Sequence, residues 1–234
     1  MFSQYSDVEA AINRVVEEEF LNGVFLSTLR DGGYTIPQIQ YFAVQYSYYS
    51  RHFPRVLGAA ISAMEPLDTW WVPLADNLWD EAGRGEEGKS HEQLYKSFLL
   101  SVYPDVQLDH RGIPTQPMSI AVRNAIDTFI KFFREATPLE AMAAVGLGSE
   151  MFAGTVMGDI ANGLRHPNYG APNLLFWDVH ADEHEPRHYQ LCKDILVQFK
   201  APKELDVMFQ VGLKIAKSEA LMYAQLHEEM IQRA

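Results

Sequence analysis

Apolar residues recur at intervals of three and four along almost the whole chain, and no stretch alternates polar and apolar as a strand would. Val8, Ile12, Val15, Val16, Phe20 and Val24 set the pattern in the first segment. The breaks between such runs carry their own signals. Ser6, with Glu9 three residues on, reads as a capping box. Gly32-Gly33 ends the first helix, and Thr35-Ile36-Pro37 opens the second with proline in the first turn, where its missing N–H costs nothing. Pro54 is expected to kink that helix. Ser90 caps another. The spacing predicts helices over 6–30, 36–64, 67–82, 90–103, 118–135, 138–163, 173–199 and 203–232. That is an all-α bundle of seven to eight helices, taken as one domain over 1–234.

The chain has 234 residues, 47% of them apolar, enough to bury a core without disulfides or structural metals. Its one cysteine, Cys192, excludes a disulfide framework and any Cys-rich zinc module. A net charge of −12 repels phosphate and argues against a general nucleic-acid binder. The acidic, amphipathic N-terminus is the opposite of a targeting peptide, so a cytoplasmic location is expected. The most apolar run, Ala141 to Gly158, holds an acid, Glu150, and four glycines, and is short of a membrane span. It reads as a helix buried inside a bundle.

Four features bear chemistry. Glu81 ends an apolar helix just before the glycine-rich loop Gly83–Gly88, with Asp80 beside it. His91 stands one residue into the helix after that loop, whose three glycines give the freedom to fold the second helix back onto the first. Glu150 is the single charge between Ala141 and Gly158; a bare buried carboxylate costs several kcal/mol unless paired, protonated or metal-bound. Its bland alternative is a solvent-facing stripe. His180, His184 and His188 lie at i, i+4 and i+8 and share one helix face. Imidazole with carboxylates alongside favours iron or manganese; a chance surface cluster is the alternative. His52, His110, His166 and His227 have no such company. There is no Gly-x-Gly-x-x-Gly after a strand, no phosphate loop, no Gly-x-Ser-x-Gly elbow and no His-Glu-x-x-His.

Taken in order, Asn77-Leu-x-Asp-Glu81-x-Gly, His91-x-x-Leu94, Glu150 in its apolar run and Phe176-x-x-x-His180 resemble the haem-oxygenase-like di-metal oxidases and oxygenases, with the CADD-like proteins as the nearest label and the TenA/PqqC-like proteins as more distant relatives. An aromatic second helix (Tyr41, Tyr46, Tyr48, Tyr49, Phe53) has the look of that fold. The resemblance implies a haem-oxygenase-like bundle acting as a non-haem di-iron, O2-dependent oxidase or oxygenase on a small organic molecule. It implies two iron ions (manganese being the alternative) held by Glu81, His91, Glu150, His180, His184 and His188, with Glu150 bridging. Tyr46, Tyr49, Phe53, Phe176 and Trp177 would wall the pocket, and Glu81, Glu150, His180, Tyr46 and Tyr49 would be the reactive set. A homodimer is expected, with neither nucleic acid nor membrane as partner. The family's third helix reads His-x-x-x-Asp-x-x-His. Here the corresponding places hold His184 and Arg187. Either Pro186 widens the helix by one residue, so that His188 takes the last place and His184 the acid's, with Glu183 as another source of carboxylate, or one metal site is altered. A cofactor-independent enzyme of the TenA/PqqC kind, with Cys192 as the one thiol, and a non-catalytic helical interaction protein remain as alternatives.

Overall fold

In the computed structural model, which describes residues 2–233, Asp7 Oδ2 accepts from the backbone N–H groups of Ser3 and Gln4, at 3.0 and 3.2 Å. These bonds start helix α1 (5–21) with Gln4 as its cap and Asp7 as the acid of the box, instead of Ser6 and Glu9. Glu9 turns to Tyr189 and Lys193 instead. The expected first helix is also broken, at Asn22-Gly23. A Cβ on Gly23 would sit 2.5 Å from the Glu19 carbonyl oxygen, a crowding that only glycine avoids. Beyond it runs α2 (Val24–Arg30).

The other helices follow the periodicity. They are α3 (Ile36–Ser62), α4 (Asp68–Glu81), α5 (His91–Val102), α6 (Ile120–Phe133), α7 (138–164), α8 (175–196) and α9 (Pro202–Ile231). The described residues thus form nine helices and no strand; the loop between α5 and α6 holds one isolated bridge, Leu108 to Pro114. Helix α3 continues through Pro54, and α8 through Pro186. Among the described residues, no helix is long and apolar enough to cross a membrane.

Three helices contain a wider, π-type turn: Glu17–Leu21 in α1, Gly146–Glu150 in α7 and His180–His184 in α8. Such a turn accommodates one extra residue and is common at functional sites. The turn in α7 is built where the helix is squeezed by its neighbours. A Cβ on Gly146 would lie 2.7 Å from the Cys192 Cβ of α8, and one on Gly148 would lie 2.7 Å from the Ile215 Cβ of α9. The glycines therefore let three helices approach more closely than larger residues would allow. Two apolar clusters surround this crossing, one rich in aromatic side chains (Phe42, Phe98, Phe152, Trp177), the other aliphatic around Leu57, Leu74, Leu147 and Leu196. Helix α4 feeds the aliphatic cluster and α5 the aromatic one, so the Glu81–His91 junction lies where they meet.

Candidate metal centre

The junction between α4 and α5 is set by backbone geometry. Gly83, Gly85 and Gly88 all have positive φ, and Arg84 is also left-handed at φ 51°. A Cβ on Gly83 would sit 2.5 Å from the backbone nitrogen of Ser90. Only glycine permits this approach, which folds the start of α5 back onto the end of α4. His91 and Glu81 consequently meet inside the protein, and His91 Nδ1 donates to Glu81 Oε2.

Helix α8 supplies the opposite wall. His180 is buried; its Nδ1 donates to the Phe176 carbonyl at 2.6 Å, which fixes the tautomer and leaves Nε2 with a free lone pair. That Nε2 lies 3.2 Å from His91 Nδ1. Because the π turn takes up one residue, Glu185 and His188 behave as though four and seven places beyond His180. They then lie about 40° and 20° from it around the helix. His188 is fully buried, and its Nδ1 faces three carboxylates: Glu150 Oε2 at 3.6 Å, Glu185 Oε2 at 3.9 Å and Glu81 Oε1 at 4.0 Å.

Two groups of ligand-type atoms result, Glu81 with His91 and His180, and Glu81 with Glu185 and His188, each set lying within 4.8 Å of one another. Glu81 is common to both, the place the sequence reading gave to Glu150. Glu150 stands beside the second group, held by the Asn77 side chain, which donates to its Oε1 at 2.7 Å. Asn77 lies one turn before Glu81 on the same face of α4, a signal the sequence offered. The acid's place, expected to be taken by His184 with Glu183 as another source of carboxylate, holds Glu185, which groups with Glu81 and His188. The same one-residue displacement that carries His188 into the cluster carries Glu185 with it. His184 is half-buried and lines a surface pocket with Arg84, Lys89 and Arg187; Glu183 is exposed.

Asp80 is nearly as buried as Glu81 and acts behind His188. Its Oδ2 lies 3.3 Å from His188 Nε2, and Arg84 and Arg187 pair with it from outside. Arg187, seven places beyond His180 in sequence, thus points outward to Asp80 and Asp76.

The donor set fits divalent cations. Glu81 Oε1, Glu150 Oε2, Glu185 Oε2 and His188 Nδ1 are buried and have no hydrogen-bond partner among the described residues. Buried polar atoms are seldom left so, and three buried carboxylates without balancing cations are costly. Burial pushes Glu81 up, yet His91, His180 and His188 pull it down to about 2, so it stays ionised. Burial, followed by His91, lowers His180 to about 3, keeping its imidazole neutral and its lone pair available. Burial and the neighbouring Glu150 raise Glu185 well above the usual carboxylate range, a strain that a cation would relieve.

Beside this cluster lies a narrow cavity with about 40 Å³ of free room. His91 and Glu185 form its metal-side wall; Tyr46, Tyr49, Phe53 and Phe152 form much of the rest. Trp177 packs behind Tyr46 at 4.9 Å between ring centres, and Phe176 lies against His180, so both stand one layer further out. Cys192 is buried in the aliphatic cluster against Gly146 and does not line the cavity; burial raises its thiol well above the ordinary value.

The all-helical bundle has the haem-oxygenase-like fold. The family described as iron-containing redox enzymes, of this haem-oxygenase-like type, matches residues 40–215, and the chain belongs to it. Among solved structures, a CADD-like protein of unknown function from Nostoc punctiforme superposes with a TM-score of 0.76 at 16% identity, covering 97% of this chain and 98% of that one. A domain of unknown function with a heme oxygenase-like fold from Shewanella denitrificans gives 0.75 at 14% identity, covering 96% and 92%. A TenA family transcription regulator from a Silicibacter species gives 0.70 at 13%, covering 95% of each chain. At these identities the likeness is one of fold. No curated protein sequence matches the chain.

Proposed function

We propose that this iron-containing redox enzyme is a non-haem di-iron oxidase or oxygenase that uses O2 on a small organic substrate bound in the cavity beside the cluster. The observation that carries this reading is the pair of buried ligand groups sharing Glu81. Glu81, His91 and His180 would hold one ion; Glu81, Glu185, His188 and Glu150 would hold the other, with manganese as the alternative metal. Bound iron would supply O2 binding and one-electron chemistry at its open positions.

The protein's own groups set the conditions for that chemistry. His180 offers a neutral imidazole because its other nitrogen is committed to the Phe176 carbonyl. Asp80 and Asn77 orient His188 and Glu150 from the outside. The aromatic wall keeps bulk water away, which strengthens every polar interaction inside. Burial raises the Tyr46 and Tyr49 phenols above their ordinary value, so both remain protonated and present O–H donors to a bound molecule.

The test is metal analysis of protein loaded with ferrous iron without oxygen, followed by O2 uptake. About two irons per chain and iron-dependent O2 consumption are expected. Iron content near zero in wild type and in a His180→Ala control alike would remove the reading.

A further inference from the structure

The cavity has a polar end unrelated to the ligand cluster. Tyr49 Oη, Ser50 Oγ and Glu219 Oε1 are each on residues at least nine-tenths buried, line the cavity, and have no hydrogen-bond partner among the described residues. Glu219 comes from α9, more than sixty positions beyond Glu150, and belongs to neither ligand group. Three unpartnered polar groups converging on one space indicate a missing partner with several hydrogens to share.

The chemistry of the lining narrows that partner. No lysine or arginine lines the cavity, whereas Glu185 and Glu219 do. Away from the ligand cluster a substrate carboxylate would therefore meet the acid Glu219 and no basic side chain. Much of the remaining wall is aromatic: the rings of Tyr49 and Tyr223 stand 5.6 and 6.4 Å from that of Tyr46, and Phe152 also lines the cavity. Aromatic faces attract a desolvated cation. An ammonium group has three N–H donors, matching one carboxylate oxygen and two hydroxyls.

We propose that this cavity binds a substrate through a primary ammonium group, held by Glu219, Tyr49 and Ser50 and enclosed by the Tyr46, Tyr223 and Phe152 rings. The assignment rests on the reading of the cavity as the substrate site of the iron enzyme, and names the class of substrate as an amine with a short apolar body. Burial pushes Glu219 up to about 8, a penalty on its charge that an ammonium group would relieve. Its Tyr49 and Ser149 neighbours do not close a hydrogen bond on Oε1.

Calorimetric titration of the iron-loaded protein under anaerobic conditions with n-butylammonium, butyrate and 1-butanol tests this, because the three probes share a chain and differ in the head group. Butylammonium is expected to bind about tenfold more tightly than either of the others, the margin of a charge-assisted hydrogen bond. Glu219→Gln should bring it to the level of butanol while leaving the iron content of the same sample unchanged. Tyr49→Phe should weaken butylammonium a few-fold. Butyrate or butanol matching butylammonium in the wild type would overturn the assignment, and so would a preference that survives Glu219→Gln. If Glu219→Gln does not fold, the wild-type ranking of the three probes decides. Iron content separates the two ideas. An amine preference in a chain that takes up no iron sinks the redox reading alone, and iron uptake without the preference sinks the amine assignment alone.

Discussion

His188 Nδ1 lies 3.6 Å from Glu150 Oε2, and each residue owes its position to a π turn in its own helix. In α7 the turn ends at Glu150, where glycines let the helix press against α8 and α9. In α8 the turn ends one residue before Glu185 and carries Glu185 and His188 together into the cluster. A single inserted residue therefore restores a ligand spacing that the sequence, read as regular helix, had lost.

If Glu185 and not His184 takes the acid's place in the cluster, the two positions respond differently. Glu185→Gln should lower iron from about two to about one per chain, while His184→Ala keeps about two. In the iron-free protein Glu185→Gln should raise the melting temperature, since burial and Glu150 already disfavour its charge. Metal analysis and thermal melts of the two variants check this. Iron loss in His184→Ala with retention in Glu185→Gln would contradict it.

The register can be tested by shortening the turn. Deleting Glu183 should convert 180–184 into a regular α turn while leaving His180, Glu185 and His188 on one face, so iron binding survives. Deleting Arg187 turns His188 and the rest of α8 by about 100° relative to His180 and Glu185, and should abolish the second iron. Equal loss in both deletions would show that the π turn does not set the register.

Asp80 steadies His188 from outside the cluster, at 3.3 Å from Nε2. Asp80→Ala should weaken iron at the second position by about 10- to 100-fold, as the loss of such partners typically does. Arg187→Ala removes a half-exposed partner of Asp80 and should cost at most about 1 kcal/mol of stability, with iron content unchanged. Competition with a chelator measures both affinities. Comparable weakening by the two substitutions would mean that Arg187, too, holds the site.

Burial raises Glu219 from an ordinary 4.5 to about 8. Below pH 4.5 folded and unfolded chains both keep its proton, and the group does not bias stability. Between 4.5 and 8 the unfolded chain releases the proton while the folded one holds it, so stability falls as pH rises, by up to about 5 kcal/mol from this group. Glu219→Gln carries no proton to lose. Its advantage over wild type, read from urea midpoints of the iron-free proteins, should therefore grow across that window and level off above it. A constant difference would mean that Glu219 titrates normally.

The order of helices was legible because each is a local statement. Periodic apolar positions, Ser90 and Ser119 at helix starts and glycines at breaks act within a few residues of themselves. The same holds for Glu81, His91, Glu150, His180 and His188 as chemically unusual residues, since a lone acid in an apolar helix or a histidine beside a glycine loop is visible without knowing what it meets. What the sequence could not decide is direction and company. Whether Asp80 or Glu81 enters the centre depends on which face of α4 packs inward, and both prove to be buried, in different roles. Whether Glu183, His184 or Glu185 supplies the acid depends on a π turn, which a period of 3.6 does not contain. Glu219 carries no local mark at all, standing in a long amphipathic helix among ordinary core residues. It becomes unusual only because α9 packs across α7 and leaves its carboxyl in the aromatic cavity without a partner. Periodicity determined the helices; close approach through glycine, and the one-residue slips it accommodates, decided the site.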